Sequence, residues 1–320
     1  MGSDPIALPL LDYLYDSCSG SVELVGCFTQ PDRPTGRGMK VASNGIKRWA
    51  MDRNLTIRQP EKCGPTDEQW LREAGVDLIL VMAFGQLLRR SLIDIPPRGT
   101  INFHASILPK LRGASPIHTA IASGESETGI SLMQIVPKLD AGPVLDVERV
   151  PILPDAQAPE VIAALAEACV PLIARNLEML CQGQPRFIPQ DESATTYCRR
   201  INKEDARLDF ACSARALHDH IRAFQPWPGA MLEVGGTLLK IGSARREAAV
   251  APGPGTLVVK AGRAFVQCAD DSLELLALQR PGGRMLPTVE FLKGFSLATG
   301  AIATSHPMEP LVASKPFSRK

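Results

Sequence analysis

With 320 residues, 45% apolar and 22% charged side chains and a formal net charge of +1, the chain has the balance of an ordinary globular protein, long enough for two domains. No apolar run approaches the roughly 20 residues of a membrane helix, and the N-terminus lacks the basic and apolar regions of a signal peptide. The eight cysteines contain no Cys-x-x-Cys pair, a pattern that reads as reduced thiols in a cytoplasm and not as a disulfide frame or a zinc site.

Ser3-Asp4-Pro5 offers a cap residue and a proline to a first helix whose apolar stripe includes Ile6, Leu10, Leu11 and Leu14. A doubly wound domain normally opens on a buried strand, and none precedes this helix. The first strand is therefore expected to be missing, either because Met1 is an internal methionine of a longer reading frame or through truncation. Residues 21–28 predict a strand, and a basic Gly/Pro-containing loop follows. Across 29–53, Arg33, Arg37, Lys40, Lys47, Arg48 and Arg53 outnumber Asp32 and Asp52. Such a zone suits a polyanion or is simply solvated charge. Helices are predicted near 43–53, with Ile46, Trp49 and Ala50 on one side, and near 66–74. The run 76–83 reads as a strand buried on both faces.

Residues 100–104 predict a short strand, Ser115-Pro116 opens a helix to about 123, and 129–136 form a strand ending near Asp140. Alternation of this kind implies a mostly parallel sheet with helices on both faces. An Ala/Leu-rich helix spans 160–180, bent or interrupted at Pro171, and Gly183-Gln184-Pro185 ends it. After a helix at 213–224 come five short β candidates (231–234, 237–241, 255–260, 263–268 and 273–278) between Gly-Gly, Pro-Gly or Asp turns. Five short strands suggest a small β-barrel of the oligonucleotide-binding type.

The chemistry-bearing residues sit at strand ends. Asn102-Phe103-His104-Ala105-Ser106-Ile107-Leu108-Pro109 follows the buried strand, and Leu139-Asp140-Ala141-Gly142 comes later. An amide, an imidazole and a carboxylate brought together there suit acyl-type transfer between nitrogens. The amide binds a developing oxyanion, the imidazole carries a proton, and the carboxylate orients it. Taken singly each has a plainer reading: a structural histidine, or a turn aspartate before Gly142. His118, His218 and His220 lack such context and read as structural or solvated. Lys110 and Arg112 stay open between contacts to a ligand's anionic tail and surface charge. Arg37 lies between two glycines, which leave a loop deformable enough to enter a nucleic-acid end. A nicotinamide dehydrogenase is excluded by the lack of a strand followed by Gly-x-Gly-x-x-Gly.

Together these segments resemble the methionyl-tRNA formyltransferase family over essentially the whole chain. The resemblance rests on Phe28-Thr29-Gln30-Pro31-Asp32-Arg33-Pro34-Thr35-Gly36-Arg37-Gly38, on the Asn102–Pro109 segment, and on Leu111-Arg112-Gly113-Ala114-Ser115-Pro116-Ile117. It continues through Glu127-Thr128-Gly129-Ile130, Leu139-Asp140-Ala141-Gly142 and Ile221-Arg222-Ala223-Phe224-Gln225-Pro226-Trp227-Pro228. It implies a Rossmann-like doubly wound formyltransferase domain over 1–184, its first strand missing. A linker over 185–202 and an OB-like β-barrel tRNA-binding domain over 203–312 would follow. It implies catalysis by Asn102, His104 and Asp140, folate contacts from Ser106, Ile107, Leu108 and Pro109, and tRNA contacts from Arg33, Arg37 and Lys40. The implied donor is 10-formyltetrahydrofolate with no metal, and the acceptor is initiator Met-tRNA, met by a cytoplasmic monomer. The alternatives are another 10-formyltetrahydrofolate-dependent transferase or hydrolase, or a catalytically impaired tRNA-binding paralogue.

Overall fold

The computed structural model describes residues 1–35 and 40–317, which divide into two compact units. The first comprises Met1–Gly113, Glu127–Pro151 and Ile162–Thr196; the second comprises Ala114–Ser126, Ile152–Val161 and the chain from Tyr197 on. The strands of the first unit are, in chain order, β1 (Cys27–Phe28), β2 (Arg33–Thr35), β3 (Lys40–Ala42), β4 (Ile57–Arg58), β5 (Ile79–Val81), β6 (Thr100–His104), β7 (Arg112–Gly113), β8 (Glu127–Gln134) and β9 (Val144–Pro151).

The main sheet runs β5-β6-β8-β9. β5 and β6 are parallel, but β8 pairs antiparallel with both β6 and β9. The mostly parallel sheet expected from the sequence is thus a mixed one. β8 and β9 are joined by a connection too short for a parallel crossover, which needs a dozen or more residues. The core strand β6 is flanked on both sides, and Ile101 and Phe103 are buried within it. β1 and β4 form a separate parallel pair. Asn44 caps the helix Gly45–Asp52 by accepting from the Lys47 N–H, and Ile46, Trp49 and Ala50 are its buried face, as its periodicity predicts.

Met1 and Gly2 bond to main chain at both β1 and the end of β5. The Met1 amine donates to the Leu80 carbonyl at 2.6 Å, Met82 N–H to the Met1 carbonyl at 2.9 Å, and Gly2 N–H to the Phe28 carbonyl at 2.9 Å. Main chain therefore joins these strand edges at one end. Elsewhere residues 21–26 and 76–79 face an apolar cavity of about 350 Å³, which Leu10, Leu14 and Leu177 also line. The predicted helix at 160–180 is two: Ala158–Ala174 runs through Pro171, and Leu177–Cys181 follows.

The second unit holds β10 (Tyr197–Cys198), β11 (Ala230–Val234), β12 (Thr237–Glu247), β13 (Leu257–Lys260), β14 (Arg263–Gln267), β15 (Ser272–Gln279), β16 (Leu286–Pro287) and β17 (Val312–Ala313). The expected five strands exist, but the OB-like barrel does not. The antiparallel sheet runs β11-β12-β15-β14-β13, with β16 on β15, and its outer strands β11 and β13 do not pair with each other. Closure needs matched strand tilt and shear, which a count of short strands does not specify. Here the two edges are covered instead by isolated bridges, Val234 to Ala303 and Thr256 to Ile302. Leu217 and Ile221 of the helix Ala214–Ala223 pack with Leu232, Leu239, Leu257, Val266, Leu275 and Leu278 as one core. No helix among the described residues is long and apolar enough to cross a membrane.

His220, on that helix, is buried and its Nε2–H donates to the Asp205 carbonyl at 2.7 Å. Burial pushes its imidazole from 6.5 down to about 4. The unfolded chain therefore takes up a proton as pH falls through 6.5 while the folded chain does not. Stability is full above that value and declines toward the folded value. Between pH 7 and pH 5 this group should cost on the order of 2 kcal/mol. Denaturant titrations at the two pH values check it: His220→Gln, which keeps a donor, should flatten the difference, and an unchanged pH slope would exclude His220 as its source.

Candidate functional site

Alternation along β6 sets Asn102 and His104 on one side of the strand, two residues apart, while Ile101 and Phe103 pack on the other. Asn102 stands opposite Met133 and His104 opposite Ser131. Asn102 is half-buried, and among the described residues its amide has no protein hydrogen-bond partner. His104 is buried, its side chain only 7% exposed.

Two contacts define the imidazole. Its Nε2 lies 3.0 Å from the Leu111 carbonyl oxygen, and its Nδ1 lies 3.8 Å from Asp140 Oδ2. A carbonyl oxygen only accepts, so Nε2 carries a hydrogen and Nδ1 is the nitrogen left to gain and lose a proton. At 3.8 Å the carboxylate attracts a charge on Nδ1 without closing a hydrogen bond to it. Nδ1 can therefore address a third group. Asp140 Oδ2 also accepts the Gly113 N–H at 2.9 Å, which fixes the carboxylate from the other side.

Leu111 and Asp140 hold the left-handed backbone, at φ 57° and 45°. Non-glycine residues adopt it at a cost of order 1–3 kcal/mol, and such strain collects at functional sites. Gly142 closes the turn for a steric reason: a Cβ there would sit 1.7 Å from the Gln134 carbonyl oxygen. That close approach lets Gln134 N–H reach the Pro143 carbonyl at 3.0 Å and start the β8–β9 hairpin.

Ser106 to Pro109 form a turn beside His104. The Ser106 hydroxyl donates to the Lys110 carbonyl at 2.7 Å, while Ser131 Oγ donates to the Ser106 carbonyl and accepts from Leu108 N–H. The hydroxyls are thus spent on shaping the turn, leaving Ile107 and Pro109 half-buried and Leu108 buried. Arg33 and Lys40 are exposed on the β2–β3 hairpin, and Arg33 pairs with Glu61. Arg37 lies outside the described residues. No cluster of metal-ligating side chains occurs among the described residues.

Arg112 is neither surface charge nor exposed to a ligand's tail; it is fully buried. Its Nε and Nη2 donate to Gln190 Oε1 at 3.0 and 2.8 Å, and Nη2 reaches Glu192 at 3.0 Å. Gln190 and Glu192 come from a polar stretch in which no periodicity or motif marks either residue.

The chain matches the family model "Formyl transferase" over residues 7–177 and "Formyl transferase, C-terminal domain" over 200–296. It is 38% identical to a methionyl-tRNA formyltransferase of Sorangium cellulosum, covering 94% of this chain and 97% of that one. It is 36% identical to that of Moorella thermoacetica over the same shares. In fold it is similar to the sugar 3N-formyltransferase WlaRD, solved in the presence of dTDP and 5-N-formyl-THF. The TM-score is 0.64 at 18% identity, over 88% of this chain and 97% of that one.

Gly142→Ala should destabilise the first unit by roughly 2–4 kcal/mol, because main chain must move to admit the methyl group. Denaturant unfolding checks this, and a midpoint equal to the parent protein's would show that the turn relaxes freely.

Proposed function

The chain belongs to the methionyl-tRNA formyltransferase family, and on that premise we propose how its own residues carry the reaction. The protein transfers the formyl group of 10-formyltetrahydrofolate to the methionine α-amine of initiator Met-tRNA. The single observation that carries the catalytic assignment is the placement of Asn102 and the Asp140-flanked His104 imidazole on one side of β6, two residues apart.

The acceptor amine is itself the nucleophile, with an ordinary pKa near ~8, so no covalent enzyme intermediate is needed. Its lone pair forms the new N–C bond while the carbonyl π pair moves to oxygen. The Asn102 amide and the His104 Nδ1–H stabilise that oxyanion, and the Asp140 carboxylate holds the positive charge on the ring. The N10–C bond then breaks with its electron pair leaving on N10. His104 supplies the proton N10 requires, directly or through water, and the proton lost by the acceptor nitrogen restores the imidazolium. The turn 106–109 lies beside the ring and offers the folate Ile107, Leu108 and Pro109 as an apolar wall; Ser106 acts by holding that turn. Arg33 and Lys40 of the β2–β3 pair, together with Arg37 from the sequence between them, contact the acceptor stem.

We assign residues 1–184 to catalysis, 185–202 to the linker, and 203–312 to further tRNA contacts through an open sheet. A monomer suffices, since every proposed catalytic group comes from one chain. A charged initiator tRNA is met where translation starts, so the reaction belongs in the cytoplasm.

Purified protein with 10-formyltetrahydrofolate should formylate initiator Met-tRNA far better than elongator Met-tRNA. Failure with both would remove this reading. His104→Ala and Asp140→Asn should each lower kcat by on the order of 100–1000-fold with tRNA affinity kept within a few-fold; near-parental turnover removes the residue from the mechanism. Arg37→Ala should raise KM for tRNA and reduce the salt slope of binding by about one. Unchanged affinity and slope would make Arg37 ordinary surface charge.

A further inference from the structure

The loop that carries Asp140 is held from outside by side chains that, among the described residues, form no hydrogen bond or ion pair with His104. Gln190 Nε2 donates to the Asp140 carbonyl at 2.8 Å and to the Gly142 carbonyl at 2.7 Å. Its Oε1 accepts both bonds from Arg112. The amide is thereby saturated and oriented, its donors facing the loop and its acceptor facing a buried guanidinium. Glu192 grips the start of the same loop through Lys138 Nζ at 2.8 Å while also accepting from Arg112. Arg112 and Lys138 hold the Glu192 carboxyl down to about 2, so this anchor stays ionised at any working pH.

The residues flanking Arg112 touch the two partners of the candidate site. Leu111 offers its carbonyl to His104, and Gly113 gives its N–H to Asp140. One three-residue segment thus sets the histidine, its carboxylate and, through Gln190, the backbone that carries the carboxylate. We propose that Gln190, clamped by Arg112, is a positioning residue that fixes Asp140 at its standoff from His104 Nδ1. Asp140 needs such a clamp because its own φ of 45° is unfavourable and its loop would otherwise relax. The inference rests on the reading that Asp140 and His104 serve formyl transfer.

Gln190→Glu is close to isosteric and keeps an acceptor for Arg112, but it removes the donors to both carbonyls. It should lower kcat about 10–100-fold, the scale of a misplaced catalytic group, with KM for both substrates within threefold. In an Asp140→Asn background the same substitution should cost less than about threefold, since the residue it acts through is already impaired. Hydrogen exchange of amides in residues 138–142 should accelerate in Gln190→Glu, a readout that does not require turnover. Parental kcat, an equal fall in both backgrounds, or unchanged exchange would overturn the proposal. A parent protein inactive on Met-tRNA whose loop nonetheless loosens would overturn the functional reading alone. Should Gln190→Glu not fold, Glu192→Gln at the exposed end of the same clamp should give faster loop exchange and a kcat reduced about threefold; neither change would overturn the proposal equally.

Discussion

The hydrogen bond from His104 Nε2 to the Leu111 carbonyl is the contact on which the proposed chemistry depends. It consumes one ring nitrogen on a main-chain acceptor and turns the other toward Asp140. Because the acceptor is a carbonyl, it cannot reverse roles as a water or hydroxyl could. The ring is therefore held in one tautomer, and Nδ1 is the atom that the proposed mechanism uses to carry the proton. Everything around it serves that orientation: β6 is buried and paired on both sides, Ser131 shapes the adjoining turn, and Gly113 restrains the carboxylate.

This arrangement is locally costly. Leu111 and Asp140 both occupy left-handed backbone, a guanidinium is buried at Arg112 with its Nη1 unpartnered among the described residues, and Gly142 admits no side chain. Several such costs within one small region are tolerated when the surrounding structure over-determines the geometry. Arg112 shows how: removing a partner from a buried charge costs several kcal/mol, so the Arg112–Gln190–Glu192 contacts resist being broken one at a time. The strained loop is carried by a polar network whose members are costly to separate.

The candidate site was legible because its residues lie on elements with clear patterning. The alternating strand β6 places Asn102 and His104 on one side, and Asp140-Ala141-Gly142 announces a turn. The helix Gly45–Asp52 was legible in the same way, from Ile46, Trp49 and Ala50. What was not legible depends on distant partners. Gln190 lies in a polar stretch, and only the folded chain brings it to the Asp140 and Gly142 carbonyls. Arg112 reads equally as a contact to a ligand's anionic tail or as surface charge until Gln190 and Glu192 are seen to hold it. The strand count of the second unit was readable, yet barrel closure was not, because closure is a property of tilt and register and not of strand number. The expectation of a mostly parallel sheet fails at β8 and β9: a helix between two strands suggests a parallel crossover, yet β8 runs antiparallel to β6, and the short β8–β9 connection with its Gly142 turn makes a hairpin.

The account turns on which nitrogen of His104 handles the proton. Nitrogen NMR of protein carrying labelled histidine resolves the two ring positions as pH is varied. The account predicts that Nε2 stays protonated throughout, bonded to the Leu111 carbonyl, while Nδ1 alone gains and loses its proton. It also predicts that Asp140→Asn perturbs the Nδ1 signal more than the Nε2 signal. A neutral form carrying its hydrogen on Nδ1 would contradict it.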